Sequence, residues 1–211
     1  MKIAVLGSTG FVGQAVLERA LAAGFDVKVL VRTPEKLKNR ASNLEVIQGT
    51  LEDADKVAET LEGCVAVVSA AGGVKGSDQY KAFETITHIL VAEMKKAGIK
   101  KLVSINGSGT ILPNEYVGIK RKILSTMVGI FLKHMKDAKV AEMDILLKEK
   151  EIDWVSVRAN LILKKPLVGH VLADDQKMPG NSITLPDLAK FMVDQVNSDT
   201  WVHKAPFVSI A

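Results

Sequence analysis

The chain of 211 residues predicts an α/β fold built on a doubly wound parallel sheet flanked by helices. Along it, β-rich runs alternate with longer stretches of helical spacing. The run at 64–68 is apolar on both faces of the predicted strand, as expected where helices cover both sides of a parallel sheet. Gly24, Gly63 and Gly98 each follow a helical stretch and fit the left-handed cap that ends a helix. Together these observations indicate a Rossmann-like arrangement.

The predicted elements follow one another as βα units within a single domain, residues 1–211. Strands are predicted at 3–6, 27–31, 44–48, 65–70, 101–105 and 154–157. Helices are predicted at 11–23, 53–61, 80–97, 137–150 and 186–196, with a short one at 34–40. After about Asn160 the alternation stops, and residues 161–185 are predicted to form a small irregular region that walls the substrate side of the sheet.

Composition and charge limit the kinds of ligand and the cellular location that we expect for this chain. The 28 basic and 24 acidic residues are interspersed, and a formal net charge of +4 fits a small anionic ligand better than nucleic acid. No apolar run reaches the ~18 residues of a membrane span, so we expect no membrane association. A single cysteine and the lack of a secretory signal pattern at the start favour the cytoplasm. The histidines show no metal-ligand spacing, so we expect no metal.

The sharpest motif is a glycine-rich turn at 7–13, directly after the first strand and at the start of the first helix. Gly7 allows a tight turn, Gly10 lets the backbone approach a diphosphate, and Gly13 lets helix and strand pack closely. The N–H groups and dipole of the helix start then face the anion. The alternative is a plain turn that needs glycine for backbone reasons, which the strand-turn-helix context disfavours. The residues predicted to bind the diphosphate are Gly7, Ser8, Thr9, Gly10, Phe11, Val12 and Gly13.

The end of the second strand favours NADP(H) over NAD(H). NAD-dependent enzymes usually place Asp or Glu there, whereas a basic residue suits the additional 2′-phosphate. Here the strand runs into Arg32 and Thr33, with Lys36 one helical turn later. Arg32 can make paired hydrogen bonds to phosphate oxygens, Thr33 adds a hydroxyl and Lys36 adds a point charge. A solvated basic turn remains the alternative interpretation of Lys36.

Several motifs in this order resemble one known family. They are GSTGFVG at 7–13, VLVR at 29–32, GTLED at 49–53, MKKAGIKKLV at 94–103, KVAE at 139–142, WVSVRAN at 154–160 and ITLPDLA at 183–189. The set resembles the atypical short-chain dehydrogenase/reductase family, in the NmrA-like branch of NAD(P)H-binding proteins that contains flavin reductase (biliverdin reductase B). The resemblance spans nearly the whole chain and is specific for the family rather than for a substrate.

This resemblance implies cofactor contacts after the third and fourth strands. Leu51 is expected to pack on the adenine ring, and Thr50 stands where the family usually has Asp, so the acidic contact is missing. Small residues after the fourth strand are expected to let ribose and phosphates lie close to the backbone. These small residues are Ala70, Ala71 and Gly72, followed by Gly73.

The resemblance also implies residues near the nicotinamide and the substrate. Asn106 and Ser108 follow the fifth strand, where related enzymes place a hydroxyl near the substrate carbonyl. The residues after the sixth strand are expected at the mouth of the crevice, against the cofactor. They are Arg158, Ala159 and Asn160.

A Tyr-x-x-x-Lys pattern at Tyr116 and Lys120 is similar to the catalytic pair of the wider superfamily, in which Tyr delivers a proton and Lys holds the ribose. The family spacing favours Lys139 as the ribose-holding lysine instead, because a Glu soon follows it and the strand-end Arg comes one helix and one strand later. Met135 then occupies the tyrosine position, which implies that the catalytic tyrosine is absent. Tyr116 remains a secondary candidate for the proton donor, as does His134.

Without that tyrosine, the resemblance implies hydride transfer from NADPH to a planar acceptor that needs no strong acid from the protein, such as a quinone or a flavin bound as substrate. We expect a monomer or a weak homodimer acting on this small molecule. Residues 113–135 either cover the acceptor pocket or form a subunit contact or core. One alternative function is a non-catalytic NADP(H)-binding redox sensor of NmrA type. A sugar-nucleotide epimerase or dehydratase is a less favoured alternative, since the catalytic tyrosine is missing.

Overall fold

The computed structural model describes residues 1–39, 41–72, 78–113, 115, 126 and 133–210. Its strands are β1 (Lys2–Leu6), β2 (Asp26–Val31), β3 (Leu44–Gln48), β4 (Ala66–Ser69), β5 (Lys101–Gly107), β6 (Asp153–Ala159), β7 (Leu161–Leu163), β8 (Val171–Asp174), β9 (Ser182–Thr184) and β10 (Phe207–Ile210). Its helices are α1 (Phe11–Ala22), α2 (Ala54–Leu61), α3 (Gln79–Lys96), α4 (Lys133–Leu146) and α5 (Leu185–Asp194). Short 3₁₀ turns at Pro34–Lys36 and Gln195–Asn197 follow β2 and α5.

β1 lies inside a sheet whose strand order is β3-β2-β1-β4-β5-β6-β10-β8. Val5 of β1 pairs with Val29 of β2 on one side and with Val68 of β4 on the other, both in parallel. Only the edge strand β8 runs antiparallel, to β10, among the strands of this sheet that the structure describes. The chain changes direction across the sheet between β1 and β4, which is where a doubly wound sheet opens a crevice for a ligand. The predicted Rossmann-like fold is confirmed.

The C-terminal part of the chain is more regular than predicted. β7 and β9 pair in parallel as a separate two-stranded sheet, and β8 joins the main sheet, so the description of 161–185 as irregular is wrong to that extent. These strands have only three or four residues, which is too short for an alternating pattern to be recognised. Where a short helix was predicted at 34–40, the structure has a 3₁₀ turn at Pro34–Lys36.

The parallel sheet is buried on both faces because successive residues of β1 point in opposite directions. Ile3 and Val5 belong to one apolar cluster, in which residues of α1 and α5 also pack. Ala4 and Leu6 belong to a second cluster, on the side of α2 and α3. The carboxyl end of β1 is thereby held between two packed layers, and the turn that follows it has a fixed position.

The helices differ in whether a side chain accepts hydrogen bonds from the backbone N–H groups of the first turn. Asp53 caps α2 by accepting from the Lys56 N–H at 3.2 Å, and Asp78 caps α3 by accepting from the Lys81 N–H at 3.0 Å. The N-cap of α1 is Gly10, which has no side chain to accept from the helix. The first turn of α1 therefore keeps N–H groups that no side-chain cap satisfies.

Asp187, in the first turn of α5, attaches the segment before it to the body of the fold. Its buried carboxylate accepts from the backbone N–H groups of Val168 and Gly169, each at 2.9 Å, and from the hydroxyl of Thr184. Burial is the largest single effect on the carboxyl and raises its pKa, but the hydrogen bonds from Thr184, Val168 and Gly169 together lower the pKa below its usual value. The ionised carboxylate thus holds 168–169 against α5.

We expect Asp187→Asn to lower the free energy of unfolding by about 1–3 kcal/mol at pH 7, because an amide N–H then faces backbone N–H donors in a buried site. The folded pKa of this carboxyl is lower than its unfolded value. Its stabilisation is therefore present above the unfolded pKa and is lost as pH falls through the folded value. Urea unfolding of the wild type and the variant should show a difference that narrows at acid pH.

Asp194→Asn provides the matched control on the same helix, since Asp194 pairs with Lys190 at the surface. Loss of this exposed pair should change the free energy of unfolding by less than about 1 kcal/mol. Equal stability of wild type and Asp187→Asn at pH 7 would show that the carboxylate does not anchor the segment.

Candidate functional site

The glycine turn after β1 is a point of very close backbone packing. Gly7 has a φ of +75°, and a Cβ placed on it would lie 2.6 Å from the carbonyl carbon of Ala70 at the end of β4. A Cβ on Gly13 would lie 2.0 Å from the carbonyl oxygen of Gly7. Both positions require glycine, for close packing of α1 on the strand ends as well as for the turn itself.

Gly10 differs from its two neighbours in the motif. Its φ of −82° and ψ of 170° are open to any residue, and its N–H donates to the Gly7 carbonyl at 2.9 Å. Gly10 lines both of the cavities described below. The lack of a side chain here keeps the backbone at the start of α1 accessible from the crevice.

The Ser8 hydroxyl in the same turn is fully buried and has no hydrogen-bond partner among the described residues. A buried unpaired hydroxyl next to an uncapped helix start is a costly arrangement unless a ligand supplies the missing partner. Ser8 lines neither cavity described below, whereas the helix start at Gly10 borders both, and an anionic group such as a diphosphate would satisfy the N–H groups there. The turn therefore fits the group that its sequence predicts.

Cavity A, of about 290 Å³, opens beside this turn at the ends of β1, β2 and β3. The predicted cofactor-binding residues that line it are Gly7, Thr9, Gly10, Arg32, Thr50, Leu51, Ala70, Ala71 and Gly72. Arg32 is exposed at the end of β2, where its guanidinium can reach a ligand. Thr33 and Lys36 were predicted with it, but neither lines this cavity.

Cavity B, of about 620 Å³, lies beyond the ends of β5 and β6. It shares Gly10, Ala70, Ala71 and Gly72 with cavity A, so the two adjoin across the first turn of α1. The further predicted residues that line it are Phe11, Val12, Asn106, Ser108, Lys139, Ala159 and Asn160. The structure thus brings most of the residues predicted from scattered motifs into one continuous crevice.

Asn106 fixes the turn that forms one wall of cavity B. Its side-chain oxygen accepts from the Gly107 N–H at 2.8 Å and from the Thr110 hydroxyl at 2.7 Å, and its amide nitrogen donates to the Ser156 hydroxyl at 3.4 Å. The Ser108 hydroxyl lies on the same wall. Because three groups hold the Asn106 amide, the shape of this wall is set by β5 and β6.

Ser108 connects this wall to the end of β6. Its N–H donates to the Ala159 carbonyl at 2.9 Å, and its hydroxyl donates to the side-chain oxygen of Asn160 at 3.2 Å. Both Ser108 and Asn160 line cavity B. Their polar groups form one edge of an otherwise largely apolar pocket.

Lys139 reaches cavity B from α4 as half of a buried ion pair. Its ammonium lies 2.8 Å from the carboxylate of Glu142, one helical turn later, and 5.4 Å from the centre of the Phe83 ring. Both charged side chains are almost fully buried. The pair is neutral overall, and the ammonium keeps a fixed position at the cavity wall.

Arg158, which the sequence predicts to contact the cofactor, does not line either cavity. It is 1% exposed and stacks 3.7 Å from the centre of the Phe207 ring. Its guanidinium donates to the Ala205 carbonyl at 2.7 Å and to the Glu115 carboxylate at 2.8 and 3.0 Å. Its side chain turns toward β10 rather than the crevice, because these acceptors lie on that side. Arg158 therefore joins β6 to β10 and to the connection after β5.

Some candidates lie outside the described residues. They are Tyr116 and Lys120, together with most of the segment 113–135 and Gly73. The side chain of His134 is likewise not described.

Other residues that line the cavities were not among the predicted site residues. Phe83 and Ile86 of α3 and Glu52 line cavity A, while Thr110 and Lys136 line cavity B. Lys136 precedes Lys139 by one helical turn, so the shared helix face was a signal that could have revealed it. The apolar spacing of Phe83 and Ile86 indicates a buried face, but such spacing does not separate a core from a cavity wall.

The described residues offer little support for other chemistries. They contain no group of three or more His, Cys, Asp or Glu side chains that could hold a metal ion. Burial raises the pKa of the Cys64 thiol to about 11, so this cysteine stays protonated and unreactive near neutral pH. None of the described helices combines the length and the apolar character needed to cross a membrane.

Known proteins resemble this chain in sequence and in fold. A chloroplastic protein of uncharacterised function from Arabidopsis thaliana is 28% identical over 185 residues, which cover 83% of this chain and 64% of the relative. A phenylcoumaran benzylic ether reductase from Ginkgo biloba is 28% identical over 97 residues, covering 42% of this chain and 32% of the relative. This chain therefore spans less than two thirds of either relative. The crystal structure of an oxidoreductase from Lactococcus lactis has the same fold, with a TM-score of 0.81, 20% identity, and coverage of 100% of this chain and 91% of that one.

The model of a protein family described as NAD(P)H-binding matches residues 7–199. The match begins at the first glycine of the turn and includes every residue named above as lining cavity A or B. It confirms the family resemblance inferred from the sequence motifs. The chain belongs to this NAD(P)H-binding family.

Proposed function

We propose that this protein is an NADPH-dependent reductase whose acceptor is a planar molecule such as a flavin or a quinone. The observation that carries the proposal is the continuity of cavities A and B across the first turn of α1. A dinucleotide with its diphosphate on that turn would extend one half into each cavity. The name of the ginkgo relative, a reductase, supports the same reaction class.

The residues of cavity A suit the adenosine half of NADPH. The turn at 7–13 would supply backbone N–H groups to the diphosphate. Arg32, which lines cavity A, would bind the 2′-phosphate, and Leu51 would offer an apolar surface to the adenine ring. Glu52 is a carboxylate on the same cavity, so Arg32 also offsets a negative charge that would otherwise oppose the phosphate.

The residues of cavity B suit a nicotinamide with an acceptor stacked against it. When bound, the reduced nicotinamide supplies hydride, two electrons with one hydrogen nucleus, to the acceptor, which takes up one proton from water. Lys139 is fixed by Glu142 where it can donate to a ribose hydroxyl. Val12, Ile105 and Ile162 exclude water from the faces of both rings, so that proximity and orientation supply most of the rate enhancement.

A non-catalytic redox sensor that binds NADP(H) is the second candidate. Among the described residues, no tyrosine, histidine or carboxylic acid lines cavity B, and the ionisable side chains that line it there are Lys136 and Lys139. This observation agrees with a sensor as well as with an acceptor that is protonated by water. Turnover separates the two functions.

We expect Arg32→Gln to weaken NADPH binding by about tenfold and to change NADH binding by less than twofold, because only NADPH carries the 2′-phosphate. Titration calorimetry with both dinucleotides measures the two affinities. Lys38→Gln is the matched control, since Lys38 is exposed and does not line cavity A. An unchanged ratio of the two affinities in Arg32→Gln would show that another residue selects the phosphate.

The reductase assignment predicts oxidation of NADPH when FMN or menadione is added under anaerobic conditions, followed at the absorbance of the reduced nicotinamide. Gly10→Ala should retain the fold, because its backbone angles suit alanine and the new Cβ would lie 3.2 Å from the Gly7 carbonyl oxygen, a tight contact that a small backbone shift relieves. The variant should lose most of the activity at low NADPH, because the methyl group would stand where the start of α1 borders both cavities. Melting temperature checks the fold of the variant. Tight NADP(H) binding without turnover of either acceptor would favour the sensor.

A further inference from the structure

We propose that the acceptor carries an anionic group and that Lys164 binds this group at the rim of cavity B. The inference deepens the proposed function, because it names the substrate class of the same site. It rests on the position of Lys164, the charge of the cavity lining and the shape of the apolar walls.

Lys164 lies at the mouth of cavity B. Its ammonium is 5.3 Å from the centre of the Phe11 ring, which is 46% exposed and lines the cavity. Ile162 of β7, two residues earlier in the chain, lines the cavity, and Lys164 is the first residue after that strand. Contact with the aromatic face reduces the freedom of the lysine before any ligand arrives. The chain thus presents a partly ordered cation at the rim.

The lining of cavity B favours negative charge. Its described charged residues are Lys136 and Lys139, and no carboxylate is among the described residues that line it. Glu142 neutralises Lys139 within the buried pair. Lys164 adds an ammonium group at the rim, so an anionic substituent is attracted there and a cationic one is repelled.

The apolar walls of cavity B indicate the shape and polarity of the acceptor's ring system. Phe11, Val12, Ile105 and Ile162 give the cavity apolar surface, and its volume of about 620 Å³ is shared between the nicotinamide and the ring system of the acceptor. A flat apolar ring system would lie in the cavity, while a phosphate, sulfonate or carboxylate substituent reaches outward to Lys164. The inferred class is therefore a planar redox-active ring that carries an anionic substituent.

Two pairs of acceptors isolate the anionic group: FMN against riboflavin, and 1,2-naphthoquinone-4-sulfonate against menadione. With saturating NADPH, the wild type should have a higher kcat/KM for the charged member of each pair. Lys164→Gln should lower kcat/KM about fivefold for the charged members and less than twofold for the neutral ones. Lys165→Gln removes the same charge from the adjacent exposed position, for which no contact with the Phe11 ring is found in the described part of the chain, and should leave the preference unchanged.

Equal losses for charged and neutral acceptors in Lys164→Gln, or the same selective loss in Lys165→Gln, would overturn the inference while leaving the reductase function intact. If no acceptor is reduced, the proposed function fails, and fluorescence titration of the NADP⁺-loaded protein with the same four compounds decides the inference. Tighter binding of the charged members that is lost in Lys164→Gln would support it. Equal binding of charged and neutral members, or no binding of any, would refute it.

Discussion

The structure depends on the backbone packing around the glycine turn between β1 and α1. Gly7 lies so close to the end of β4, and Gly13 so close to Gly7, that neither position has room for a β-carbon. This packing places the uncapped start of α1 at the point where the strand order reverses. Because Gly10 and the end of β4 border both cavities, the same turn that closes the fold also joins the two halves of the site.

Charge is distributed differently in the interior and around the crevice. In the interior, Lys139 pairs with Glu142, and Arg158 pairs with Glu115 while stacking on Phe207. Such buried pairs contribute little net stability, but each fixes the direction of its side chains. Arg32 and Lys164 instead lie at opposite ends of the crevice, where their charges are available to a ligand. This arrangement suits a polyanionic dinucleotide together with an acidic acceptor.

The sequence allowed β1 to β6 and the glycine turn to be predicted, because long apolar strands and a strand-turn-helix motif leave local patterns. It did not reveal β7 to β10, whose pairing depends on contacts between short segments far apart in the chain. Arg158 was placed at the correct strand end, but strand position does not specify that its side chain meets Glu115 and Phe207. Phe83 was missed for a similar reason: helical spacing identifies a buried face without showing that it borders a cavity.

The proposed function requires that the turn at 7–13 bind the diphosphate of a nicotinamide dinucleotide, with the adenosine in cavity A and the nicotinamide in cavity B. Titration calorimetry of the purified wild-type protein with NADPH measures this binding. We expect saturable binding of one NADPH per chain that is competed by NADP⁺. Absence of binding heat at several temperatures, together with no change in melting temperature at millimolar NADPH, would contradict it.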